Sequence, residues 1–244
     1  MQQYLARKLE EGQSPAAVDN KRKALASLFR FLHEEGLRPD NPLEGVRAIP
    51  VPYAEKRPPS PEDVDKVLDV GFMRARDGDK MRMVVLLLMT TGLRLSEAMG
   101  LRKENIDFDA SELTVVGKGR KRRVVPLLRI TKEALRGYID KYPSDSPFVF
   151  PGKTRTGYAE IHNIEKTLKR ACIRAGVEPF TPHQLRHLFA TEMLRHGAKL
   201  EVVGRILGHS SIGITADIYR HVSTEEIHEA LRRFGPLNGG EAAE

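Results

Sequence analysis

Leu25, Leu28, Phe29 and Leu32 recur at a spacing that gathers them on one side of a helix. That helix is predicted to open at Ser14-Pro15, an N-cap followed by proline at the first helical position, and to close at Gly36. A shorter helix is predicted over Gln2–Glu10. Between 41 and 60 the periodicity is lost. Pro42, Pro50, Pro52, Pro58 and Pro59 stop helices and sheet ladders alike, so the stretch reads as a linker. The predicted boundary leaves a small helical domain over 1–50 and a larger one over 51–244.

Past the linker the start signal repeats at Ser60-Pro61, with Asp63 placed to complete a capping box. Helices are predicted at 61–70, 80–91 and 95–101. A tract rich in strand formers follows, over 106–108, 112–116 and 123–127. Its last two segments flank Gly117-Lys118-Gly119-Arg120, the signature of a hairpin. Helices are predicted again at 131–142 and 161–175. Thr181-Pro182 then opens a series at 182–196, 199–207, 211–220 and 224–234. The fold class is mainly α with a small antiparallel β-sheet (α+β).

Composition narrows the possibilities only slightly. At 40% hydrophobic residues a chain of 244 can bury a core, which excludes a disordered protein. The longest apolar run, Met83–Met89, falls far short of the roughly 20 residues a bilayer requires, and the N-terminus lacks a signal-peptide layout. A single cysteine, Cys172, precludes an internal disulfide and suits a reducing compartment. These features predict a cytoplasmic protein with no membrane partner. The net charge of +7 favours a polyanion as partner.

Where the charge lies is more informative. In Thr181-Pro182-His183-Gln184-Leu185-Arg186-His187, His183 and Arg186 are three apart near a helix N-terminus, a place that favours anions. The pair suits a phosphate, and reads equally well as an ordinary polar surface. Arg94 follows Gly92 at another helix start, with Glu97 placed to orient it; a plain salt bridge explains the pair as well. Lys118, flanked by glycines at the hairpin tip, reads as a general acid or as a phosphate contact. Its neighbours Arg120, Lys121, Arg122 and Arg123 read as contacts to a nucleic-acid backbone, as do Lys21, Arg22 and Lys23. His209 lies just past a C-cap glycine. Tyr219 by itself reads most simply as packing.

Taken together in this order, Arg94, Lys118, His183, Arg186, His209 and Tyr219 resemble the catalytic set of the tyrosine recombinase (phage integrase) family. The resembling strings are TGLRLSE, GKGRKRRVVPL, TPHQLRHLFATEML, VVGRILGHSSIGIT and DIYRHV. The resemblance runs from about Pro58 to the last helix, and the segment before it resembles the end of the family's N-terminal DNA-binding domain. Members usually carry more helices ahead of the point where this chain begins. The resemblance implies a site-specific enzyme that cuts and rejoins double-stranded DNA without metal, cofactor or ATP. Tyr219 would attack a phosphate to leave a 3′-phosphotyrosyl bond. Arg94 and Arg186 would clamp the non-bridging oxygens and Lys118 would protonate the leaving 5′-oxygen. His183 would assist proton transfer at the tyrosine, and His209 would bond the phosphate. Leu188 departs from the family pattern, which has a small hydroxyl residue there; a packing difference is expected.

Three other readings compete. His183 and His187 have the i, i+4 spacing of zinc enzymes, but Gln184 stands where such a site has its acid. A non-catalytic DNA-binding protein of the same fold is the second, and a relaxing topoisomerase using the same phosphotyrosine step is the third. The helix over 224–234, with Ile227, Ala230, Leu231 and Phe234 on one side, reads as docking into a second copy on DNA or as packing on its own domain.

Overall fold

A computed structural model describes residues 1–50, 58–73, 77–117, 122–153, 156–208 and 224–236. The chain divides into two compact units, Met1–Lys56 and Arg57–Glu244.

In the first unit, α1 (Gln2–Glu10) and α2 (Pro15–Glu34) pack on each other. Ser14 caps α2, its Oγ accepting the Ala17 N–H at 3.3 Å. Leu5, Val18 and Leu43 form a small core, with Leu25, Phe29, Val46 and Ile49 against it. Leu28, expected to share the stripe with Leu25 and Phe29, is exposed. Asp19 is buried and stitches the unit together. It accepts the Ile49 N–H at 3.1 Å and pairs with Arg22 at 2.8 Å and Lys23 at 2.9 Å. The bonds from Arg22, then Lys23, then Ile49 hold its carboxyl well below the usual carboxylate range.

The second unit begins with α3 (Pro61–Lys66), capped by Ser60 Oγ on the Asp63 N–H at 3.1 Å. The helix predicted to reach 70 widens instead into a π-helical turn over Val67–Gly71. Arg174 donates from Nε and Nη2 to the Gly71 carbonyl at 2.8 and 2.6 Å, which satisfies that end from outside. Next, α4 (Gly78–Thr91) buries Met81, Met83, Val84, Val85, Leu87, Leu88 and Met89. A helix apolar on nearly every side belongs at the centre of a fold, and here it does. It ends at Gly92, whose φ of 63° reverses the chain into α5 (Leu95–Met99).

Strands β1 (Ile106–Asp107), β2 (Glu112–Val116) and β3 (Arg122–Pro126) form one antiparallel sheet in the order β1-β2-β3. In its register Leu113 faces Val125 and Val115 faces Arg123. Around α4 stand α6 (Arg129–Lys141), α7 (Ile161–Ala175) and α8 (Pro182–Arg195), followed by α9 (Leu200–Leu207) and α10 (Thr224–Phe234). The predicted helix at 211–220 lies outside the described residues. No described helix is long and apolar enough to cross a membrane.

On α10, Ile227, Ala230 and Leu231 are buried within their own unit, against α8, α9 and β3. The apolar side that suggested docking into a second copy is therefore used intramolecularly here. His228 Nε2 lies 2.7 Å from Glu112 Oε1 and ties the helix to the sheet.

Candidate functional site

The end of α4, the start of α5, strand β3, the start of α8 and the end of α9 converge, and each brings a polar group. Gly92 allows the approach. A Cβ there would fall 2.6 Å from Leu207 Cδ2 and 2.6 Å from Phe189 Cδ1, so α4, α8 and α9 meet at a point that admits only glycine.

Thr181 starts α8 with a reciprocal cap absent from the sequence reading. Its Oγ1 accepts the Gln184 N–H at 3.3 Å while Gln184 Oε1 accepts the Thr181 N–H at 3.0 Å. One turn on, Arg186 turns inward and is only 5% exposed. Its Nη1 donates to the Gly92 carbonyl at 2.6 Å and its Nη2 to the Leu207 carbonyl at 2.7 Å. No carboxylate among the described residues pairs with it. Burial, together with the nearby charge of Arg94, lowers its pKa to about 10.

Arg94 is the outer member of the cluster, its side chain 40% exposed. Glu97 orients it, as its spacing suggested: Oε1 accepts Arg94 Nη1 at 2.9 Å and Oε2 accepts the Arg94 backbone N–H at 2.8 Å. The same carboxylate receives the fork of Arg123, Nη1 on Oε1 at 2.9 Å and Nη2 on Oε2 at 2.7 Å. Burial works to raise the Glu97 pKa. The bonds from Arg123 and the Arg94 N–H outweigh it and bring the value down to about 2. Two guanidiniums thus hold one carboxylate, and a third, that of Arg186, lies near enough to feel its charge. With three arginines against one glutamate, the cluster is electropositive.

Arg123 corrects the sequence reading. Expected with Arg122 as a contact to a nucleic-acid backbone, its side chain is only 12% exposed, and its Nε donates to the Ile206 carbonyl at 2.9 Å. The signal was there in the alternation of β3. Arg123 lies two residues before the buried Val125 and opposite the buried Val115, on the inner face. Arg122 points outward and is exposed.

His183 and His187 are both exposed on α8. Among the described residues, no three His, Cys, Asp or Glu side chains group as metal ligands. In the first unit, Lys21 donates to Gln13 Oε1 at 2.6 Å, while Arg22 and Lys23 both turn to Asp19. Lys118, Arg120, Lys121, His209 and Tyr219 lie outside the described residues.

Residues 66–226 match the model of the phage integrase family. The chain is 36% identical to tyrosine recombinase XerD of Brucella melitensis, over 93% of this chain and 78% of that protein. It is 33% identical to tyrosine recombinase XerA of Pyrococcus furiosus, over 98% and 88%. Among solved structures, the integrase of mycobacterium phage Brujita superposes with a TM-score of 0.63 at 29% identity, covering 95% of this chain and 77% of that one.

Proposed function

The chain belongs to the phage integrase family and is a DNA recombinase, and from that premise we propose that it cuts and rejoins double-stranded DNA through a 3′-phosphotyrosyl intermediate on Tyr219. One observation carries the reading. Arg186 is a buried cation held by two carbonyls and bonded to no carboxylate of the described residues, beside a second arginine set by Glu97. Glu97 offsets that charge without bonding to it, and a DNA phosphate would supply the direct partner that a buried cation favours. A guanidinium has five N–H donors, and the two carbonyl bonds use only part of that fork. The rest suits a non-bridging oxygen, with Arg94 on the other.

In this mechanism the Tyr219 Oη bonds to phosphorus as the bond from phosphorus to the 5′-oxygen breaks. The phenolic proton is lost with help from His183, and Lys118 delivers a proton to the leaving oxygen to give a free 5′-hydroxyl. Rejoining is the reverse, with the 5′-hydroxyl of the partner strand as attacking group. A phenol with a pKa of about 10 needs such help at neutral pH. Fixed cations aimed at the phosphoryl oxygens stabilise the charge that develops on them without reorganising. One phosphodiester is exchanged for another, so no ATP is consumed.

Residues 1–50 are read as helical DNA-binding sequence and 51–244 as the catalytic domain, with Lys21, Lys23, Arg120, Lys121 and Arg122 on the DNA backbone; Arg22, only 16% exposed and paired with Asp19, is withdrawn from that set as Arg123 is. The test is covalent capture: a denaturation-resistant protein–DNA adduct that is lost in Tyr219→Phe.

A further inference from the structure

Arg123 is more deeply committed than either arginine of the proposed phosphate clamp needs. Its fork fills both oxygens of Glu97, and its Nε holds the Ile206 carbonyl at 2.9 Å. The next carbonyl along α9, that of Leu207, is the one Arg186 holds. The last carbonyls of a helix have no partner within it, so the two arginines together close this helix end. Directly beyond it, Gly208 turns with φ of 66°, and a Cβ there would fall 3.0 Å from Arg123 Cδ. The next residue is His209. At its other end Arg123 stands on β3, the strand that leaves the hairpin containing Lys118.

We propose that Arg123 is a positioning residue: it fixes Arg94 through Glu97, and fixes the end of α9 ahead of His209 through Ile206. The proposal rests on the strand-transfer reading above. Without the Arg123 fork, the buried Glu97 carboxylate keeps Arg94 as its remaining guanidinium partner and draws it inward, away from a phosphate. Lysine cannot substitute, because one ammonium cannot span two carboxylate oxygens and a carbonyl on the far side.

The test compares Arg123→Lys with wild type in the full chain, using single-turnover cleavage of a nicked duplex and DNA affinity across a salt series. A second substrate carries a methylphosphonate at the scissile position, which lacks one charged oxygen. The expected result is an unchanged Kd and salt slope, cleavage slowed on the order of 10²-fold, and a smaller penalty on the methylphosphonate. A purely structural defect slows both substrates equally, and that outcome overturns the proposal. So does unchanged cleavage, or a salt slope reduced by about 0.9, which marks a lost phosphate contact. If Arg123→Lys does not fold by circular dichroism, Arg123→Gln is read in its place; loss of fold in both makes Arg123 a stability residue and also overturns the proposal. A Tyr219-dependent wild-type adduct is scored separately, so failure of the strand-transfer reading is distinguishable from failure of this one.

Discussion

Arg123 closes on Glu97 with two parallel bonds of 2.9 and 2.7 Å, and Glu97 in turn holds Arg94 at 2.9 Å. The carboxylate is therefore a hinge pin between a buried arginine and a half-exposed one. Its loss leaves three positive charges facing each other, since Arg186 lies close enough for Arg94 and Arg123 both to lower its pKa. Glu97→Ala is expected to destabilise the second unit by about 3–5 kcal/mol, the cost of breaking a buried pair, read by urea denaturation.

The same carboxylate predicts an acid limb in stability. Its folded pKa of about 2 lies below its ordinary value of 4.5, so its contribution is fully present above about pH 4.5 and is lost as pH falls toward 2. Thermal melts of wild type and Glu97→Gln are expected to converge over that window and to stay apart by a constant amount above it. A gap that persists unchanged down to pH 2 would contradict the assignment.

Gly92 combines positive φ with contact on two sides. Gly92→Ala is expected to cost about 1–3 kcal/mol from crowding against Leu207 and Phe189, with backbone strain in addition. Because the Gly92 carbonyl also holds Arg186, adduct formation should fall further than the loss of stability accounts for; the melting temperature and the cleavage rate separate the two effects.

Arg186→Lys keeps the charge and loses the fork. An ammonium cannot hold the Gly92 and Leu207 carbonyls and a phosphate oxygen in the same arrangement. Single-turnover cleavage is expected to drop by about 10²–10³-fold with DNA affinity little changed. Affinity that falls as steeply as the rate would make Arg186 a general binding residue.

In the first unit Lys23 is 63% exposed, although paired with Asp19. If it contacts the DNA backbone, Lys23→Ala should lower the slope of log K against log salt by about 0.9 while leaving sequence preference unchanged. A change of preferred sequence would instead give it a base-reading role.

Sequence legibility followed the range of the interactions. Ser14, Ser60 and Thr181 declare their helices because a cap is settled within three residues. Glu97 was legible as the partner of Arg94 for the same reason. The inward turn of Arg186 depends on a carbonyl 94 residues away, so the folded chain was needed to find it; the partner of Arg123 is also distant, 83 residues away, although the side it turns to was legible. The π-turn at Val67–Gly71 is of this kind too, since Arg174 satisfies it across 103 residues. The basic run at the hairpin misled because composition pooled Arg122 with Arg123, whereas strand alternation separates them.

The measurement that most directly tests the central claim is covalent trapping in EDTA. The full chain is incubated with labelled duplex selected for binding to it and nicked so that the cleaved fragment escapes, then denatured and resolved by size. The strand-transfer reading predicts a DNA-linked band in wild type, and none in Tyr219→Phe. A band that survives in Tyr219→Phe, or its absence in wild type on DNA that the protein demonstrably binds, would contradict it.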